Sequence, residues 1–140
     1  MDIEELGFEH RDSVIALWQR AGLTRPWNSP YDDYDRATRM ESSVVLGVVE
    51  DGDVVATVMV GHDGHRGWAY YLAVETSRLK TGLGAAMMSA AEEWVRRNGI
   101  PKIQLMVRAE NLTVRDFYLH RGYEASDVTV YGLRLEVEHL

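Results

Sequence analysis

Between Ser43 and Val74 three stretches rich in valine and aromatic residues follow one another almost without pause. Ser43–Glu50 reads as a strand, "EDGD" as a hairpin turn, Val54–Gly61 as the returning strand, "GHDGHRG" as a second turn and "WAYYLAV" as a third strand. Turns this short join antiparallel neighbours. The next segment, "SRLKTGLGAAMMSAAEEWVRRNG", opens with two glycines and continues as a long amphipathic helix, with Gly99 and Pro101 as stop signals. A strand meander that runs straight into such a helix excludes an all-β sandwich and a regular βαβ repeat.

The flanking regions extend this frame. Ile3–Leu6 is a candidate first strand, and Arg11–Ala21 carries a helical stripe of Val14, Leu17, Trp18 and Ala21 that Gly22 stops. The prolines of "LTRPWNSPYDDYDRATRM" mark a loop, with a short helix predicted from about Tyr31. Ile103, Leu105 and Val107 alternate as a strand, Asn111 is placed to cap a helix through "LTVRDFYLHR" that Gly122 ends, and "YEASDVTVYGLRLEVE" reads as one or two further strands. The pattern predicts an α/β (α+β) fold in a single domain, residues 1–140.

Composition narrows the function classes. The formal charge is -7, from 22 acidic and 15 basic residues. That disfavours a nucleic-acid partner, which needs a concentrated basic face. With no cysteine there is neither a disulfide framework nor a thiol nucleophile. No apolar run is long enough to span a bilayer and "MDIEELG" is not a signal peptide, so the expected location is cytoplasmic, with no membrane partner.

Glycine is costly in a helix, so Gly82 and Gly84 need a reason. A helix start exposes unpaired N–H groups and the positive end of the helix dipole. Without side chains at these positions an anion such as a pyrophosphate can reach them; close helix–strand packing is the other reading. The pattern G-x-x-x-x-G-K-[ST] is absent, and the dinucleotide fingerprint fails because Met87 stands where its third small residue belongs.

A third pattern fits. "LKTGLG" matches the [QR]-x-x-G-x-[GA] motif of the GNAT superfamily of N-acyltransferases in its glycines, and "NLTVRDFYLHRGY" follows N-x-x-A-x-x-L-Y-x-x-x-G-[FY]. The segment from Leu72 to Tyr123 resembles that family, and the order of elements is similar along nearly the whole chain. "LTRPWNSP", "GHDGHRGWAYYLAV" and "GIPKIQL" are similar to its small bacterial YpeA-type acetyltransferases. "LMVRAENLTVRDFYLHRGYE" also looks like the enzymes that acetylate ribosomal-protein N-termini. Leu79 departs from the usual Arg or Gln, and Lys80 from the common glycine.

The resemblance implies a mixed, mostly antiparallel sheet of six to seven strands with splayed central strands and about four helices. It implies acetyl-CoA as acetyl donor, with the pyrophosphate on the N–H groups of Lys80, Thr81, Gly82, Leu83, Gly84 and Ala85. The pantetheine arm would run along Leu72, Ala73 and Val74 and be held by Asn111. A backbone N–H near Leu72 would stabilise the oxyanion, and Tyr118 would protonate the leaving thiolate. Residue by residue, Tyr118 also reads as a plain core tyrosine.

The general base is open. Trp68 and Met106 are apolar where some relatives carry glutamate, and Glu75 and Glu110 lie toward strand ends. Ordered water, His62, Asp63 or His65 are the candidates, while "GHDGHRG" also reads as plain turn chemistry without convincing metal spacing. Trp27, Tyr31, Asp32 and Asp33, with Tyr34 and Asp35, are the expected acceptor-binding segment; a solvated helix start is the alternative. The expected activity is direct transfer to a primary amine, on a small molecule or a peptide N-terminus. A homodimer is compatible with it. The alternative is an acyl-CoA-binding sensor or partner module without turnover.

Overall fold

Asp51 and Gly52 sit at φ 52° and 83°, so the first turn is the primed type that lets two twisted strands return on themselves. It joins β2 (Ser43–Glu50) to β3 (Asp53–His62), and β4 (Gly67–Val74) continues the meander antiparallel to β3. A short β1 (Glu4–Glu5) pairs antiparallel with β2, and β5 (Ile103–Gln104) pairs parallel with β4, giving the order β1-β2-β3-β4-β5. The computed structural model describes residues 2–137. It divides into two compact units, residues 1–106, which hold the sheet, and residues 107–140.

Helices α1 (Arg11–Arg20), α2 (Pro30–Arg39) and α3 (Leu83–Arg97) belong to the first unit, and α4 (Leu112–His120) to the second. Ser29 caps α2 by accepting the Asp32 N–H at 3.3 Å, and Pro30 fits the first turn because no N–H is needed there. The core beside α1 and α2 is built from Val14, Ile15, Trp18, Tyr34, Val45 and Ala73. Burying side chains of this size contributes roughly 1.5–3 kcal/mol each. Gly67 marks close contact between β4 and α3: a Cβ there would lie 2.6 Å from the Val95 side chain.

The mixed sheet and the four α-helices among the described residues are those expected, but the strand count there is five. Pairing between β4 and β5 stops at Trp68↔Gln104, so the alternation that predicts a strand through Val107 yields two paired residues. The central strands therefore part, as the resemblance implies. From Tyr123 to Val137 no strand forms, since none of these residues has a ladder partner; Glu138, the end of the predicted stretch, lies outside the described residues.

Candidate active site

The register of β3 against β4 jumps from Thr57↔Ala73 to Met59↔Tyr70, which leaves Tyr71 and Leu72 opposite Val58 alone. This bulge places Tyr71 at φ 52°, a left-handed conformation that costs a tyrosine on the order of 1–3 kcal/mol. Four neighbours hold it there. The ring stacks on Trp18 at 3.8 Å with planes 8° apart. The Tyr71 hydroxyl donates to Asp33 Oδ2 at 2.7 Å, and Asn28 Nδ2 donates to the same carboxylate oxygen at 2.6 Å. Thr57 Oγ1 donates to the Tyr71 carbonyl at 3.0 Å and accepts the Trp18 indole N–H at 2.9 Å. Burial and the adjacent Asp33 push the Tyr71 hydroxyl well above the usual tyrosine range, so it stays a donor.

The bulge also directs the backbone. The Glu75 N–H bonds Val55 at 2.8 Å, so by strand alternation Leu72 and Val74 turn their N–H and C=O groups to the opposite edge. The β4–β5 ladder has already ended on that side. No described strand pairs with Leu72–Val74 on that side.

At the end of this strand the chain passes through a short 3-10 turn, Thr76–Arg78, to the start of α3. Gly82 is the N-cap residue, left-handed at φ 85°, with open space around a would-be Cβ. No side chain caps the helix. The first bond across its start is Ala86 N–H to the Gly82 carbonyl, which leaves the N–H groups of Leu83, Gly84 and Ala85 without acceptors. Lys80, also left-handed at φ 63°, and Thr81 are exposed beside them. Thr81 donates to the Arg78 carbonyl at 2.5 Å, and Arg78 pairs with Glu50, so Lys80 is the cation here that this pairing leaves. These groups suit a diphosphate. Leu79, where the family motif has Arg or Gln, is exposed.

Beside the bulge is a cavity of 460 Å³ whose lining includes Met40, Met59, Trp68, Tyr70, His62 and Asp63. Asp33 and Tyr71 also line it, so the residues that hold the bulge border the cavity. Asp63 Oδ1 accepts the N–H groups of Arg66 and His65, each at 2.8 Å. Those bonds hold its carboxyl below the usual range, so it is an anion and a weak base. The Gly64 N–H donates to His62 Nδ1 at 3.1 Å, which leaves the ring proton of the neutral imidazole on Nε2. His62 in this tautomer offers a donor. Glu75, another candidate base, is paired with Arg20 at 2.6 Å.

Among the expected acceptor residues, the structure brings Asp33 and His62 to this cavity, and Trp27, Tyr31, Asp32 and His65 are not among its lining. The Arg11 guanidinium lies 4.6 Å above the Tyr31 ring, so that aromatic face already has a cation. Tyr34 is core, its hydroxyl donating to the Gly7 carbonyl at 2.5 Å. Asp35 pairs through two bonds with Arg11 at 2.7 and 2.8 Å, and Asp33 pairs with Arg36 at 2.6 Å. The carboxylates of these two expected acceptor residues are thus paired with arginines of the chain itself. The pattern also missed Thr57, Tyr70 and Tyr71; a single hydroxyl in the buried run "DVVATVMVG" was the available signal for Thr57.

In the second unit Asn111 caps α4, its Oδ1 accepting the Val114 N–H at 3.3 Å, so only its amide N–H groups remain for a ligand. Tyr118 is buried, with Phe117 and Tyr123 edge-on at 5.0 and 5.4 Å. Burial pushes its hydroxyl up to about 12, with Arg121 opposing the shift. A phenol in that state is protonated at neutral pH and suits an acid.

A family model for the acetyltransferase (GNAT) family matches residues 11–123. Among solved structures, the chain is similar to AAC(6')-Iy in complex with the bisubstrate analog CoA-S-monomethyl-acetylneamine (TM-score 0.80, 13% identity, 96% of this chain and 97% of that one). It is similar to the aminoglycoside 6'-N-acetyltransferase AAC(6')-IG from Acinetobacter haemolyticus (0.78, 12%, 97% and 99%). It is also similar to a ribosomal-protein-alanine N-acetyltransferase from Brucella melitensis biovar Abortus 2308 (0.72, 19%, 96% and 100%). At these identities the likeness is one of fold.

Proposed function

The chain belongs to the GNAT family of acetyltransferases, and from that premise we propose that it transfers an acetyl group from acetyl-CoA directly to a primary amine. The observation that carries this reading is the start of α3: three N–H groups without acceptors behind a left-handed glycine, next to the open edge of Leu72–Val74. The N–H groups of Leu83, Gly84 and Ala85, with Lys80, would hold the diphosphate, and Leu72–Val74 the extended arm. The donor supplies an activated thioester. Tyr118 is the proton donor for the departing thiolate, and Asn111 offers its amide N–H groups to the arm.

The cavity beside the bulge is the acceptor site in this reading. Met40, Met59, Trp68 and Tyr70 suit an amine on an apolar body, in a small molecule or at a peptide N-terminus, and Asp63 supplies a fixed negative charge for its ammonium form. His62 Nδ1 already accepts the Gly64 N–H and the Asp63 carboxyl is held below its usual range by the Arg66 and His65 N–H groups, so in this reading the amine proton leaves through water. The absence of cysteine supports direct transfer over an acyl-enzyme. Thiol release from acetyl-CoA, measured over a panel of small amines and peptides, tests the reading. Turnover with at least one primary amine is expected.

The exposed Leu79 favours a second reading, an acyl-CoA-binding module without turnover. Tight CoA binding with no thiol release over the whole panel would select it.

A further inference from the structure

Among the described residues, the charged side chains that line the cavity beside the bulge are Asp33, Arg36 and Asp63. The first two cancel. Arg36 stands one turn after Asp33 on α2 and donates to its Oδ1 at 2.6 Å. The other oxygen, Oδ2, accepts the Tyr71 hydroxyl at 2.7 Å and the Asn28 amide at 2.6 Å, and neither donor is charged. Asp33 is therefore held in place by two neutral groups and neutralised by Arg36. Asp63 differs. Its Oδ1 accepts the backbone N–H groups of His65 and Arg66, which orient a carboxylate without cancelling its charge. The Arg66 guanidinium donates to the His65 carbonyl at 2.9 Å and is not part of the lining. His62, whose Nδ1 accepts the Gly64 N–H, adds a neutral ring. The cavity thus carries one net negative charge.

Much of the remaining lining is apolar or aromatic. Met40 and Tyr70 are 51% and 44% exposed there, beside Met59 and Trp68. Apolar surface of this kind leaves water when a ligand with an apolar body enters. A second ammonium group in the same space would lose its hydration with no further carboxylate charge to replace it. We propose, on the reading of this cavity as the acceptor site, that it takes an amine with one ammonium group on an apolar body and turns away diamines and polyamines, and that Arg36 sets this choice by cancelling the charge of Asp33.

Removing the guanidinium alone unmasks Asp33. Arg36→Gln keeps a polar side chain and loses the charge, while Tyr71 and Asn28 still hold Oδ2. The cavity then carries the charges of both Asp33 and Asp63 and suits two ammonium groups. A half-exposed ion pair within one helix contributes little to stability, so the variant should fold. Arg36→Lys returns the positive charge and should return the preference for one ammonium.

Calorimetric titration of hexylamine and of hexamethylenediamine into the full chain at neutral pH tests this. The two probes share a carbon chain, differ by one amino group and are both fully protonated. Wild type should bind hexylamine about tenfold more tightly than the diamine. Arg36→Gln should shift that ratio about tenfold toward the diamine, and Arg36→Lys should keep the wild-type preference. Equal or tighter binding of the diamine by wild type overturns the proposal. So does a ratio that Arg36→Gln leaves unchanged, or a wild type that does not bind hexylamine. If Arg36→Gln fails to fold, the wild-type ratio still decides the class of amine, and Arg36→Met decides the role of Arg36. Thiol release from acetyl-CoA separates this from the transferase reading. Selective binding of hexylamine without thiol release for any amine supports the proposal and defeats that reading. Release with the diamine in preference to hexylamine supports that reading and overturns the proposal.

Discussion

Thr57 is joined to Tyr71 across the sheet: its hydroxyl donates to the Tyr71 carbonyl at 3.0 Å while accepting the Trp18 indole N–H at 2.9 Å. Thr57 and Trp18 are fully buried, so the bond between them replaces water for both groups. They hold Tyr71 in its left-handed conformation and so keep β4 bulged. The parting of β4 from β5 and the outward turn of Leu72 and Val74 accompany that bulge.

Thr57→Val keeps the shape and removes both bonds. The buried Trp18 N–H then loses its acceptor, at a cost of roughly 1–3 kcal/mol, and the part-buried Tyr71 carbonyl loses this donor. Chemical denaturation should show a loss of at least that order. Affinity for CoA should fall as well if the arm runs along Leu72–Val74 as proposed, because that edge is then no longer fixed. An unchanged affinity in a folded variant would separate the bulge from the binding edge.

Much of this frame is legible in the residues. Ser43–Glu50 is the strand that its valines indicate, and Gly22, Gly99 and Gly122 end their helices at positive φ. The bulge is not legible, because "WAYYLAV" offers two adjacent tyrosines and alternation cannot choose which one turns inward. Tyr71 is chosen by Trp18 and Asp33, both more than 35 residues away in sequence. The ion pairing of the aspartates in "YDDYDR" is not legible for a similar reason: Arg11, the partner of Asp35, lies 24 residues before it. In the tail the strand pattern is plain, but pairing needs a neighbour that the pattern cannot supply.

Asp63 should steer the acceptor. Asp63→Asn retains an oxygen for the N–H groups of Arg66 and His65 while removing the charge. Steady-state kinetics across a salt series should show a higher acceptor KM in the variant and a flatter salt dependence, since screening acts over about 10 Å at 0.1 M. Asp32→Asn, outside the cavity lining, should leave the wild-type curve unchanged.

Tyr118→Phe should leave CoA affinity nearly unchanged and lower kcat by about 10²- to 10⁴-fold, the usual range for a lost acid. The wild-type profile carries a sign test. Burial raises the hydroxyl from 10.0 to about 12, so the donor stays protonated through pH 10, and kcat should not fall there for lack of it. The same shift favours the folded state below pH 10 and loses that contribution as pH rises toward 12. Stability should therefore decline over that interval, and less steeply in Tyr118→Phe.

The central claim is that the start of α3 holds acetyl-CoA by its backbone, and calorimetric titration of CoA into wild type and Gly84→Asp tests it most directly. The aspartate would place a negative charge and a side chain among the N–H groups of Leu83, Gly84 and Ala85. Wild type should bind with one site per chain, and Gly84→Asp, folded by circular dichroism, should show no measurable heat of binding. Equal affinity in the two proteins would contradict the account.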